Sequence, residues 1–226
     1  MDLTASVSLK EFVRTHFGSE PVPPPPDVQG SATRARSREL LLRAWLPAWI
    51  VRRVDRGFAR SNTVAPDTAS ALYAIVRGLH ARMVIETGTY WGFSTAILAA
   101  AVRDEGGGMV HSFDIYPRAG AHIPPPLMRW ITLHRGRPSS EALPELLLRG
   151  APDLFFQDSR HDYAGVTEEL RLVAPRLRPG GVILFHDWVL PEVRQAAQDE
   201  LGGWALAQVA GDDPQQLGAA VKPRSH

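Results

Sequence analysis

The sequence predicts an α/β fold: a doubly wound, mostly parallel seven-stranded sheet preceded by a helical extension. Three observations carry that prediction. From residue 66 onward, short apolar runs alternate with stretches of helical spacing. Glycine- and proline-marked turns, among them Gly106-Gly-Gly108 and Pro179-Gly-Gly181, separate the two kinds of segment. Two of the apolar runs end in clusters of glycine or titratable side chains, at the edge where open parallel sheets bind ligands. Repeated strand–helix alternation builds a parallel sheet with right-handed crossovers and helices on both faces.

Residues 66–79 read as a helix, with Ala69, Leu72, Ile75, Val76 and Leu79 at helical spacing. The first strand is 83–86, followed by a helix at 94–102. The second strand, 109–113, ends at Asp114, and a loop containing Pro124-Pro-Pro126 precedes the third at 130–134. A helix at 141–148, a strand at 154–157 and a helix at 167–177 follow. The fifth strand is 182–185, then a helix at 191–201. Two short strands near 204–210 and 217–221 close the chain as an antiparallel hairpin at one sheet edge.

Ahead of this domain, 66–226, residues 1–30 read as a flexible arm. A helix over 3–17 places Leu3, Val7 and Phe12 on one face, and Pro21-Val-Pro-Pro-Pro-Pro26 enforces an extended linker. Residues 31–65 read as a helical extension that lids the substrate pocket or forms a dimer interface. Its apolar positions are Leu41, Trp45, Trp49, Val54 and Phe58, interrupted by Pro47, and its other faces are rich in arginine. An interfacial membrane helix and a nucleic-acid arm are the weaker alternatives.

Composition excludes several classes. A net charge of +1 gives no bulk electrostatic reason for binding nucleic acid. With no cysteine there are no disulfides, thiolate chemistry or Cys-ligated zinc. The first residues lack a basic stretch followed by an apolar core, so a signal peptide is not expected, and no run of about 18 apolar residues occurs; a cytoplasmic protein is expected.

In Met83-Val-Ile-Glu-Thr-Gly-Thr-Tyr-Trp-Gly92, a buried strand must turn sharply into a helix. The Gly-x-x-x-Gly spacing is not the dinucleotide fingerprint, no phosphate loop is present, and no basic residue follows. A zwitterionic amino-acid tail at the helix N-terminus is therefore expected rather than a pyrophosphate. Asp114, ending the next strand, can accept hydrogen bonds from both hydroxyls of a ribose.

Val84-Ile-Glu-Thr-Gly-Thr-Tyr-Trp-Gly-Phe-Ser94 together with His111-Ser-Phe-Asp114 resembles motifs I and II of class I S-adenosylmethionine-dependent methyltransferases. The likeness runs from about Pro66 onward and is closest to small-molecule O-methyltransferases of the catechol, caffeoyl-CoA and macrocin type. It implies that Glu86, Gly88, Tyr90, Gly92 and Ser94 surround the methionine moiety. It likewise implies that Asp114 holds the ribose and that Gly136 to Ser139 border the adenine. Arg137-Pro138 departs from the acidic residue often found in that turn.

The reactive half is Asp158, His161, His186 and Asp187. The strands before Asp158 and His186 are neighbours in such sheets, so two carboxylates and an imidazole converge on one pocket, which suits a divalent cation. The resemblance adds roles. An Asp after the fourth strand is the first metal ligand in metal-dependent relatives, and a basic residue three positions later is the general base; Asp158 and His161 reproduce that spacing. The second ligand pair would be His186-Asp187, where relatives carry Asp-Asn, Asp-Asp or Glu-Asp. An imidazole there weakens the case for Mg²⁺ and favours Mn²⁺, Fe²⁺ or Zn²⁺. It also leaves open a metal-free site with His186 as base. Structural roles compete throughout: His161 and Asp162 at a helix start, His186 as a buried histidine, Asp187 as a cap.

The expected function is methyl transfer from S-adenosylmethionine to a hydroxyl of a small molecule (a phenol, diol or sugar of a natural-product pathway). A divalent cation, Mg²⁺ or Mn²⁺, would assist, and the protein would be a homodimer or higher oligomer. A metal-free O- or N-methyltransferase is the nearest rival. A non-catalytic cofactor-binding module acting through the N-terminal arm, and a nicotinamide oxidoreductase, stand further off.

Overall fold

A computed structural model describes residues 6–25, 64–209 and 215–224. In chain order these form β1 (Ser6–Val7), α1 (Leu9–Phe17), α2 (Pro66–Gly78), β2 (Met83–Thr87), α3 (Phe93–Asp104) and β3 (Met109–Asp114). A 3₁₀ turn, Pro125–Trp130, leads into β4 (Ile131–Arg135). Then come α4 (Ser139–Leu147), β5 (Leu154–Gln157), α5 (Tyr163–Val173), β6 (Val182–Phe185), α6 (Pro191–Glu200), β7 (Ala205–Val209) and β8 (Leu217–Val221). The helical pattern expected over 31–65, with both its tryptophans, lies almost wholly outside the described residues.

One sheet contains all the strands, in the order β1-β7-β8-β6-β5-β2-β3-β4. The run β6-β5-β2-β3-β4 is parallel throughout. β8 pairs antiparallel with both β6 and β7, as the closing hairpin requires. The seven expected strands are present, and an eighth joins them: Ser6 and Val7 pair with Gln208 and Val209 in parallel.

That eighth strand corrects the N-terminal reading. Val7, expected on a helical face, lies in the sheet, and the helix starts at Leu9, where the Ser8 hydroxyl accepts the Glu11 N–H at 3.2 Å. Gly18, left-handed at φ 68°, ends it. Phe12 and Val13 are buried in the main core, so residues 6–17 are packed elements where a flexible arm was expected. The helix expected over 167–177 begins instead at Tyr163, because the Asp162 side chain accepts the Gly165 N–H at 2.9 Å and sets its first turn. Trp130, expected in a strand, closes the 3₁₀ turn.

The strands sort their side chains by the period-two rule. Val84, Leu154, Phe156, Val182 and Leu184 join the core beneath α1, α2 and α3. Ile85, Phe155, Ile183 and Phe185 join the core beneath α4, α5 and α6. Both faces are thus covered, which is why the central strands read as continuous apolar runs. Every strand of the parallel run points its C-terminal end at one rim, and there the chain leaves the sheet at Gly88, Asp114, Asp158 and His186.

Candidate functional site

The rim opens into a cavity of about 600 Å³. Its walls include Gly88 to Ser94 after β2, Asp114 to Tyr116 after β3, Pro138 to Ser140 at α4, Asp158 to His161 after β5, and His186-Asp187 after β6. Two segments far apart in sequence therefore meet because β2, β5 and β6 are adjacent strands.

The glycines are required by the protein itself. A Cβ on Gly88 would lie 1.9 Å from the Asp158 carbonyl oxygen, and φ is +93°. Gly92, at φ +90° at the start of α3, would drive a Cβ to 2.3 Å from Ile123 Cγ1. The turn is thus pressed against the loop after β5 on one side and the 116–124 loop on the other. Tyr90 also has positive φ, 46°, and its N–H donates to Asp114 Oδ2 at 2.7 Å, while Tyr116 N–H donates to Oδ1 at 2.8 Å. Asp114 ties the two loops together and keeps lone pairs for a ligand in the cavity.

Glu86 is placed differently from its neighbours in the motif. It is fully buried and does not line the cavity; its Oε2 accepts from Thr95 Oγ1 at 2.5 Å and Ser112 Oγ at 2.6 Å. Burial pushes its carboxyl up to about 7 against the pull of hydrogen bonds from Ser112, Ser94 and Thr95. Glu86 thereby joins β2, β3 and α3 beneath the turn, and Ser94 is the member of that group that reaches the cavity. Gly136, after β4, donates its N–H to the Asp114 carbonyl at 2.9 Å at φ +77° and is not part of the cavity wall, whereas Ser139 is.

At the other end, four side chains form one polar group. His186 Nδ1 lies 2.9 Å from Asp158 Oδ1 and 3.4 Å from Asp187 Oδ2. His161 Nδ1 lies 3.2 Å from the same Asp187 oxygen. His186 is buried, while the His161 side chain is 37% exposed and faces the opening. Burial would raise the Asp187 carboxyl, but the hydrogen bond and charge of His186, the charge of His161 and a hydrogen bond from Gln215 outweigh it and hold it below its ordinary value. Asp187 has φ 53°, a left-handed conformation costing a side-chain-bearing residue about 1–3 kcal/mol. The atoms that could hold a metal ion, one each from Asp158, His161 and Asp187, lie within 4.8 Å of one another; His186 stands beside that trio. Asp162 is the helix cap, so His161 is free of that duty.

Residues 85–188 match the model of a family described as a methyltransferase domain. The fold is that of class I methyltransferases. Solved structures agree on the fold. The O-methyltransferase TomG from Streptomyces achromogenes, involved in tomaymycin synthesis and solved with SAM, is 18% identical at a TM-score of 0.62, over 99% of each chain. The O-methyltransferase from Bacillus cereus in complex with SAH is 18% identical at 0.59, over 95% of this chain and 97% of its own. The SAH-bound Podospora anserina methyltransferase PaMTH1 is 15% identical at 0.56, over 85% of this chain and 96% of its own. Among curated proteins no sequence matches the chain. Among the described residues, no helix is long and apolar enough to cross a membrane.

One residue of the cavity escaped the sequence reading. Glu169, on α5, is buried at the cavity wall and gathers donors from β2, β5, α4 and the loop after β5. Its Oε1 accepts from Ser139 Oγ and, at 2.7 Å, from Ser159 Oγ. Its Oε2 accepts from Thr87 Oγ1 at 3.0 Å and Gln157 Nε2 at 3.4 Å. Burial raises its carboxyl despite the hydrogen bonds from those residues. A glutamate in a helix with Glu168 before it looks solvent-facing in sequence; its only signal was its place on the apolar side, between Val166 and Leu170. Arg160 also lines the cavity, but its guanidinium is engaged by Asp162 at 2.9 Å and Glu168 at 3.5 Å.

Proposed function

We propose that the protein transfers the methyl group of S-adenosylmethionine to a hydroxyl oxygen of a small molecule: a phenol, diol or sugar. The observation that carries this reading is the meeting, in one cavity, of the glycine turn, the Asp114 carboxylate and the Asp158–His161–His186–Asp187 group. The cofactor's amino-acid tail fits the turn at 88–94, beside the N-terminus of α3, and its ribose fits Asp114. The solved relatives bound to SAM or SAH support the cofactor.

The chemistry asks little of the protein beyond position and proton removal. A lone pair of the hydroxyl oxygen attacks the methyl carbon as the S–CH₃ bond breaks, and the bonding electrons stay on sulfur, leaving S-adenosylhomocysteine. His161 takes the hydroxyl proton at Nε2. The Asp187 carboxylate, 3.2 Å from Nδ1, stabilises by its charge the imidazolium that forms. Asp158 and His186, joined at 2.9 Å, position the Asp187 side of this group.

A divalent cation fits the donor set: two carboxylates and an imidazole offer ligand atoms within 4.8 Å of one another. Bound there by Asp158 and Asp187, it would lower the pKa of a coordinated hydroxyl. A metal-free enzyme is the second reading. It is favoured by the His186 N–H, which already lies between Asp158 and Asp187. Calorimetric titration with S-adenosylhomocysteine, with and without Mg²⁺ or Mn²⁺, beside an Asp158→Ala/Asp187→Ala variant, tests both. Nucleoside binding plus cation binding that the variant loses supports the cation; nucleoside binding indifferent to both supports the metal-free enzyme. Absence of nucleoside binding overturns the transferase reading.

A further inference from the structure

We infer that Glu169 is a positioning residue that makes the cofactor site select a 6-aminopurine over a 6-oxopurine, by fixing the direction of two serine hydroxyls. The inference rests on the S-adenosylmethionine reading above and goes beyond it by assigning the choice of nucleobase.

A carboxylate accepts hydrogen bonds and donates none. Glu169 receives four donors: the hydroxyls of Thr87, Ser139 and Ser159 and the amide of Gln157. Only the acceptor-only form accommodates all of them. Ser139 and Ser159 meet the same oxygen, Oε1, so they stand side by side although one starts α4 and the other lies in the loop after β5. Each serine hydroxyl has one hydrogen, and each spends it on Glu169. What remains toward the cavity, which both serines line, is oxygen lone pairs.

The strand order says which part of a nucleoside meets that wall. The reacting group stands after β5 and β6, the glycine turn after β2, Asp114 after β3, and the loop leading to Ser139 after β4 at the edge of the sheet. A ribose held by Asp114 with its sulfur arm directed to the turn sends its base the other way, toward Pro138, Ser139 and Ser140. Ser159 and Glu169 close the same wall.

Two acceptors side by side suit an exocyclic amine, which donates two hydrogens. A 6-oxo group brings a lone pair against lone pairs and leaves buried acceptors unmatched. Sites built around a hydrogen-bonding group reject an analogue lacking it far more strongly than apolar pockets reject a misfit of shape. Glu169 need not touch the base. It acts through the serines.

The test is calorimetric titration of the full chain with S-adenosylhomocysteine and with S-inosylhomocysteine, its 6-oxo counterpart, for wild type, Glu169→Gln and Ser139→Ala. Wild type is expected to favour the adenosyl compound about tenfold or more. Glu169→Gln places a donor in the cluster and frees a serine hydrogen for the cavity, so the ratio is expected to fall to about threefold or less. Ser139→Ala removes one acceptor and should weaken the adenosyl compound selectively. A merely structural role would weaken both ligands alike and leave the ratio unchanged. Equal binding of the two ligands by wild type, or an undiminished ratio in both variants, overturns the inference while leaving the cofactor reading intact. Binding of neither by wild type overturns both.

Discussion

Gly88 has almost no tolerance. Its replacement by alanine sets a Cβ 1.9 Å from the Asp158 carbonyl at a φ of +93°, so either the turn or the loop after β5 must move. Gly88→Ala is expected to cost about 2–4 kcal/mol and to abolish nucleoside binding, read by chemical denaturation and calorimetry together. His161 sits at the opposite extreme, half-buried and without a structural cap to hold. His161→Ala should fold normally and bind S-adenosylhomocysteine as wild type does, yet lose about 10²- to 10⁴-fold in kcat; full activity would remove it from the base role. Glu86 offers a pH test. Its buried carboxyl titrates near 7 when folded, against an ordinary value of 4.5. The protonated form is the one the fold favours, so this stabilisation is present below about pH 4.5 and is lost as pH rises through about 7. Glu86→Gln, which mimics the protonated carboxyl, should flatten the pH dependence of unfolding free energy over that window; an unchanged slope would refute it.

Secondary-structure elements show a different division of labour. Helix α1 is held by its Ser8 cap and Gly18 terminator, but its anchorage is Phe12 and Val13, 2% and 0% exposed. Fully burying such side chains contributes about 1.5–3 kcal/mol each. Phe12→Ala should therefore cost about 3–5 kcal/mol in denaturant titration, a loss that a flexible arm would not produce. Trp188, immediately after Asp187, packs so closely on β8 that a Cβ at Gly218 would fall 2.2 Å from its ring. That contact fixes the strand-end loop carrying His186 and Asp187. The left-handed backbone of Asp187 persists because its surroundings over-determine it.

For the whole molecule, the sheet is the device that makes a site from scattered residues. Parallel strands send all their C-terminal ends to one rim, and the two helical layers bury the rest. A ligand filling the cavity touches loops from five strands, so it stabilises the folded state alone. S-adenosylhomocysteine at 100 times its Kd should add about 2.7 kcal/mol to the unfolding free energy and raise Tm accordingly.

Much of this was legible beforehand because it depends on local pattern. Continuous apolar runs such as Leu154-Phe-Phe-Gln157 follow from strands covered on both faces, and Gly88, Gly92 and Asp114 from a turn whose geometry few residues allow. The neighbouring of Asp158 and His186 followed from strand adjacency alone. What no local pattern carries is which side chain within a cluster meets which. The sequence offered Asp158, His186 and Asp187 as metal ligands; side-chain placement keeps His186 Nδ1 2.9 Å from Asp158 and 3.4 Å from Asp187 and brings His161 to the same carboxylates. Nor could spacing reveal that Glu169 gathers donors from three elements and a loop, or that Ser6-Val7 would find β7 some 200 residues away. Those are long-range contacts between groups whose own neighbours in sequence are indifferent to them, and only the packed chain selects one arrangement.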